Sequence, residues 1–278
     1  MVREFLWESE LLCVDYNVSR KAGSDHLMDR QFIEFSARLE SWYASLRGRY
    51  LARVESSLIN RELEECFGYN LLQLGPGRHP ELCSGSRVKN HFYLSPGTPT
   101  QAPDVYADYG QLPFESGSID VAVVHHVLEW SQQPHQLLRE LQRVVAPQGH
   151  LLLVCFNPWS AHGLWSIVSR FFPAAIWRQR RIGKVRIDDW LSLLGFKLQS
   201  VNYGYTIPPS GRAWFDKYGE RLDKFCSKKN FPLGGVQVYH AISEVAAITP
   251  IRPRWNPVRA QLIGFGASSA TVSSAKSR

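Results

Sequence analysis

The chain has 278 residues, 44% of them hydrophobic and 21% charged, with a formal net charge of +7. That length and balance exclude a fibrous or disordered protein and allow a large core without covalent staples. The cysteines (Cys13, Cys66, Cys83, Cys155 and Cys226) form no CxxC pair or Cys/His cluster along the chain, which argues against a disulfide framework or a metal site and for a reducing, cytoplasmic setting.

In chain order, the opening MVREFLWESELL has acids inside its apolar run and no long uncharged stretch after it, so neither a signal peptide nor a membrane span is expected. Residues 1–25 read as an irregular lead-in. Phe32, Phe35, Leu39, Trp42 and Leu46 then recur at helical spacing. A second stripe through Leu51, Val54, Leu58 and Leu63 stops at Gly68, so cover helices are expected across 28–67, with Gly48 as an interruption. Strand-like runs follow at 71–74, 88–94, 119–124 and 151–156. Residues 131–145 read as a helix with Leu137, Leu138, Leu141 and Val144 on its apolar side, stopped by Pro147. Residues 188–194 read as a short helix with acids in its first turn, closed by Gly195, and 196–203 and 236–248 as two further strands. Apolar strands separated by helices indicate an α/β protein whose parallel sheet is covered on both faces. The folded domain is expected to span 26–249. The remaining 250–278 form a basic tail holding five of the seven net charges, so the bulk charge says little about the domain's substrate.

The stretch LLQLGPG (71–77) sets Gly75 and Gly77 at the carboxyl end of the first strand. Ligands bind at such ends in open parallel sheets, and glycine lets them approach the backbone N–H groups. By itself such a turn is more often an ordinary strand end. Two further segments sharpen the reading: ADYGQLPFESGSIDVAVVHHVLEW (107–130) and PHQLLRELQRVVAPQGHLLLVCFNP (134–158). Together with the glycine turn they resemble the class I S-adenosylmethionine-dependent methyltransferases, especially the type 11 methyltransferase domain, over roughly residues 40–248. The resemblance implies a Rossmann-like, seven-stranded, mostly parallel sheet with helices on both faces and an antiparallel final strand. It also implies S-adenosylmethionine as cofactor and methyl transfer to an acceptor that the sequence does not identify. On this resemblance Gly75 and Gly77 wrap the methionine and ribose portion, Asp108 accepts a hydrogen bond from the adenine amino group, and Leu112 and Phe114 pack beside it. The chain departs from the family pattern at three places. Gln73 stands where an acid is usual, His79 replaces a third glycine, and Tyr93 or Leu94 lies where the second strand normally ends in a ribose-clamping acid. Gln73 and Tyr93 remain cofactor-side candidates through their amide and phenol.

His125 and His126 follow the fourth strand. His125 is assigned to the cofactor side and His126 to the substrate side, each with an ordinary pKa suited to taking a proton near neutrality. Asp120 reads as an anchor for a strand start. ESWYASLRGRYLARVE (40–55) reads as an amphipathic cover helix, some of whose aromatics (Trp42, Tyr43, Tyr50) cap the pocket. In CFNPWSAHGLW (155–165), Asn157, Trp159 and His162 are acceptor-side candidates, with an ordinary Asn-Pro turn as the competing reading. RFFPAAIWRQRRIGKVR (170–186) carries six basic residues and no acid among its aromatics, a pattern suited to RNA, to a phospholipid head group, or to a solvated helix face. The expected partner is a small-molecule or lipid acceptor, with RNA as the alternative and no metal. Two rivals stand beside the enzyme: a non-catalytic binding or regulatory protein retaining the fold, and a nucleic-acid-binding module acting through 170–186 and the tail.

Overall fold

The computed structural model describes residues 39, 41, 43–76, 81–95, 104–160, 182–206, 221, 223, 225, 226 and 229–244. The expected helix around 28–38, Trp42, Gly77, His79, His162, the basic run 170–181 and the tail 250–278 lie outside them. The chain divides into two units, 1–246 and 247–278, the second wholly outside the described residues.

Helix α1 (Leu46–Leu63) begins where Ser45 turns extended and its hydroxyl accepts the N–H of Gly48 at 3.1 Å. Gly48 thus belongs to the first helical turn and interrupts nothing. Among the described residues seven strands follow: β1 (Asn70–Leu74), β2 (Asn90–Ser95), β3 (Val105–Tyr106), β4 (Ile119–His125), β5 (Val145–Phe156), β6 (Phe196–Gly204) and β7 (Val236–Ser243). They form one sheet in the order β3-β2-β1-β4-β5-β7-β6. The pairs from β3 to β5 are parallel, and β7 runs antiparallel to both β5 and β6. The order reverses direction between β1 and β4, the switch point at which such sheets open a crevice beyond their carboxyl ends.

Alternation along the strands builds two cores. Leu71, Val121, Val123, Leu152, Val154 and Val238 face α1 and bury Leu51, Leu58, Ile59 and Leu63. Leu72, Leu74, Ala122, Val124, Leu151 and Leu153 face the opposite way, onto α2 (Pro134–Val144) and α3 (Lys184–Leu193). Burial on both faces explains the near-continuous apolar runs. Two helix boundaries differ from expectation. Helix α2 starts at Pro134 rather than 131, because a proline lacking an N–H suits the first turn. Helix α3 starts four residues early, so Asp188 and Asp189 lie in its second turn, and no acid occupies the first. Asp120 does anchor a strand: its Oδ2 accepts the N–H groups of Tyr69 at 2.8 Å and Asn70 at 2.9 Å, fixing the start of β1. A Cβ on Gly68 would lie 2.2 Å from that of Asp120, so only glycine fits there.

Candidate active site

The glycine turn leaves β1 directly against the end of β4. A Cβ on Gly75 would sit 3.4 Å from the Cβ of His125 and 3.7 Å from its Nδ1. Two buried phenols, Tyr93 at 3.2 Å and Tyr109 at 3.1 Å, donate to the carbonyl of Gly75. Tyr93 therefore stands beneath the turn and steadies it. Gln73 is buried on the α1 face. Its Oε1 lies 3.8 Å from the Cys83 thiol, while its Nε2 has no hydrogen-bond partner among the described residues.

The segment 108–114 is fastened by one face of α2. Gln136, Glu140 and Arg143 follow each other at spacings of four and three residues, which brings them onto a single stripe. The Gln136 amide donates to the Gly110 carbonyl at 3.0 Å, and Glu140 Oε2 accepts the N–H of Leu112 at 3.0 Å. Arg143 donates to the carbonyls of Phe114 at 2.8 Å and Leu112 at 2.9 Å, and its Nη2 pairs with Glu140 at 2.8 Å. The hydrogen bond from Arg143 holds the Glu140 carboxyl below its ordinary range. Held this way, the segment buries Leu112 and leaves Asp108 exposed, with Oδ1 accepting the N–H of Gly110 at 3.1 Å.

On the α1 side the site is closed by a sealed ionisable cluster. Glu55 of α1 reaches His125 Nε2 at 3.1 Å with one oxygen and His126 Nε2 at 3.0 Å with the other. Tyr43 donates to Glu55 at 2.8 Å, and Glu129 lies 3.4 Å from His126 Nδ1 while accepting the N–H of Phe156 at 2.5 Å. Both histidines are fully buried. Burial alone would push His126 down, but the Glu129 and Glu55 carboxylates outweigh it and hold the imidazolium up to about 9. Burial keeps His125 below its ordinary value despite Glu55, so it is neutral. Glu55 resists the upward push of burial because the two histidines hold its carboxyl well below the usual range. His126 also has φ 53, a left-handed backbone costing on the order of 1 kcal/mol for a non-glycine residue, and its two carboxylates hold it there. The expectation that His126 is a proton acceptor on the substrate side is therefore revised. It is charged at neutral pH and locked between two acids.

The structure thus brings Gln73, Gly75, Tyr93 and His125 together at the carboxyl ends of β1, β2 and β4. Asn157 is committed elsewhere: its amide N–H groups bind the carbonyls of Pro232 at 2.8 Å and Gly234 at 2.9 Å, and its oxygen accepts the N–H of Trp159 at 3.0 Å. This is the Asn-Pro turn reading. Trp159 is 79% exposed. Tyr43 joins the sealed cluster, whereas the Tyr50 phenol binds Asp223 at 2.8 Å. Glu55, Glu129 and Tyr109 escaped the sequence reading. The missed signal was a charge on the apolar stripe of α1, since Glu55 falls four residues after Leu51, on the buried face.

Comparison with known proteins decides the family. The profile of the methyltransferase domain matches residues 95–153, which include Asp108, the 112–114 segment and β4. The uncharacterized protein YafS of Escherichia coli (strain K12) is 31% identical over 176 residues, covering 63% of this chain and 70% of YafS. The chain belongs to the class I S-adenosylmethionine-dependent methyltransferases. A shorter match links this methyltransferase to the malonyl-[acyl-carrier protein] O-methyltransferase of Halorhodospira halophila (strain DSM 244 / SL1), 36% identical over 67 residues, or 23% of each chain. Its fold resembles that of a possible histamine N-methyltransferase from Thermotoga maritima, with TM-score 0.53 and 14% identity over 79% of this chain and 99% of that one. A putative methyltransferase complexed with the Trm112 activator, from Haloferax volcanii, gives the same TM-score of 0.53 at 15% identity, covering 78% and 98%. As a member of this family the enzyme uses S-adenosylmethionine. No helix among the described residues is long and apolar enough to cross a membrane.

Proposed function

We propose that the enzyme methylates a small organic or lipid acceptor held over the Gly75 turn in a water-excluding site. The observation that carries this reading is the cover: Glu55 fastens α1 to the end of β4 through two fully buried histidines, closing the cofactor turn on that side. When bound, S-adenosylmethionine supplies an electrophilic methyl on a sulfonium that already carries a good leaving group. The chain's own residues then have to align the acceptor and keep water out, which an enclosed site does.

The residues present fit that cofactor. Gln73 has a buried amide donor with no partner among the described residues, beside a turn where a Cβ on residue 75 would lie 3.4 Å from the Cβ of His125. We assign Gln73 and Gly75, with Gly77, to the methionine and ribose end, and the exposed Asp108 carboxylate to the adenine amino group. Leu112 forms an apolar wall. Tyr93 acts by holding the Gly75 carbonyl, and His125 lines the turn as a neutral ring. His126 positions the cover as an imidazolium, and the acceptor-side role of Trp159 rests on its exposure. The free thiols of Cys66, Cys83, Cys155 and Cys226 suit a reducing compartment, and we place the enzyme in the cytoplasm.

The test is to incubate the full chain with methyl-labelled S-adenosylmethionine and fractionated cell extract. Label in a solvent-extractable small molecule or lipid supports the proposal. Label confined to RNA or protein overturns it.

A further inference from the structure

Helix α1 carries a second buried acid two turns after Glu55. Glu62 lies seven residues, about 10.5 Å, further along the same face and meets a different pair of histidines. Its Oε2 accepts from His240 Nδ1 at 2.8 Å and from Ser200 at 2.7 Å, and its Oε1 accepts from Asn202 at 2.6 Å. With the Nδ1 proton of His240 fixed on Glu62, the Nε2 lone pair points away from the carboxylate. It faces His150 Nδ1 at 2.9 Å and Cys66 Sγ at 4.0 Å. The three ligand atoms of Cys66, His150 and His240 all lie within 4.8 Å of one another.

We infer that Cys66, His150 and His240 form a zinc-binding site, with Glu62 as the positioning residue that orients His240. A tetrahedral zinc with Zn–N of about 2.0–2.1 Å and Zn–S of about 2.3 Å sets its nitrogens about 3.3 Å apart and nitrogen from sulfur about 3.5 Å. The observed 2.9 and 4.0 Å reach those values by shifts of about half an ångström each. The Glu62–His240 pair has the carboxylate–histidine arrangement that orients metal-bound imidazoles and raises their basicity. His150 Nδ1, on the strand beside that of His240, supplies the second nitrogen. Zinc binding replaces the Sγ proton of Cys66 and releases it to solvent. His150 is half-buried, which leaves a side from which water can complete four ligands.

The site is structural. His150 precedes Val154, the partner of His125, by four residues, or about 13 Å along the strand, so the metal lies well away from Gly75. It would tie Cys66, just past the end of α1, to β5 and β7.

The test uses the full-length protein, stripped with chelator, reloaded with zinc chloride, washed and assayed for metal. One zinc per chain is expected, and cobalt(II) in its place should give a thiolate-to-metal charge-transfer band. Cys66→Ser should abolish that band, and Glu62→Gln should weaken zinc binding 10–100-fold. His150→Asn, at the half-buried ligand, should also lose the zinc and serves if the Cys66 variant does not fold. Glu55→Gln should retain it. Failure of the folded wild-type protein to hold zinc, retention undiminished by Cys66→Ser or His150→Asn, or loss in Glu55→Gln alone would overturn the assignment.

Discussion

Replacing Glu55 by glutamine removes one charge from the sealed cluster while preserving its shape, and its effect should depend on pH in a defined direction. Glu55 is 1% exposed and bridges His126 at 3.0 Å and His125 at 3.1 Å. Together with Glu129 it holds His126 up to about 9, from an ordinary value of 6.5. That elevation corresponds to on the order of 3 kcal/mol of folding stability. Because the folded value lies above the unfolded one, the contribution is complete below about pH 6.5 and is lost as pH rises through about 9. In Glu55→Gln only Glu129, at 3.4 Å, still favours the imidazolium. Urea denaturation at pH 7 should therefore show the variant about 2–3 kcal/mol less stable. At pH 10 the wild-type histidine has also released its proton and Glu55 is a buried charge without a counter-ion, so the difference should shrink towards zero. An equal loss at both pH values would refute the ion-pair account and leave only packing.

Two other substitutions separate the scaffold from the cofactor site. Asp120→Ala deletes the acceptor for two N–H groups at the start of β1 and should cost about 1–3 kcal/mol in denaturation, with S-adenosylmethionine affinity unchanged by calorimetry in protein that remains folded. Arg143→Leu frees the carbonyls of residues 112 and 114 and the Glu140 carboxylate. It should cost about 1–3 kcal/mol and also weaken cofactor binding, because the segment bearing Asp108 loses its fastening.

Strands β1, β4, β5 and β7 were legible because burial on both faces writes apolar runs into the sequence, whereas the partly exposed β2 and β6 carry only short apolar stretches. Strand β3, two residues long, carries no such run and exists through its pairing with Leu94 and Ser95. Helix ends shifted where local chemistry competes with periodicity, at Pro134 and at the early start of α3. Of the candidate site residues, Gly75 and Asp108 were singled out through family resemblance. The roles of Tyr93 and His126 were not, since each depends on a partner far along the chain: the Gly75 carbonyl for one, Glu55 for the other. The acids on the buried face of α1 were present in the sequence as charges in an apolar stripe. Which histidines they meet is decided by the packing of α1 on the sheet. The same packing assembles Cys66, His150 and His240 from three separate stretches, which is why no spacing rule found them.

We assign the carboxyl ends of β1 and β4 to S-adenosylmethionine, held through Asp108 and the Gly75 turn. Isothermal titration of the full chain with S-adenosylmethionine, alongside Asp108→Ala, decides whether they bind it. Saturable binding by the wild-type chain, weakened about tenfold or more in the variant, as loss of about 1.4 kcal/mol or more from a charged hydrogen bond requires, is the predicted result. Well-folded protein that binds no cofactor at millimolar concentration, or an Asp108→Ala variant with unchanged affinity, would contradict it.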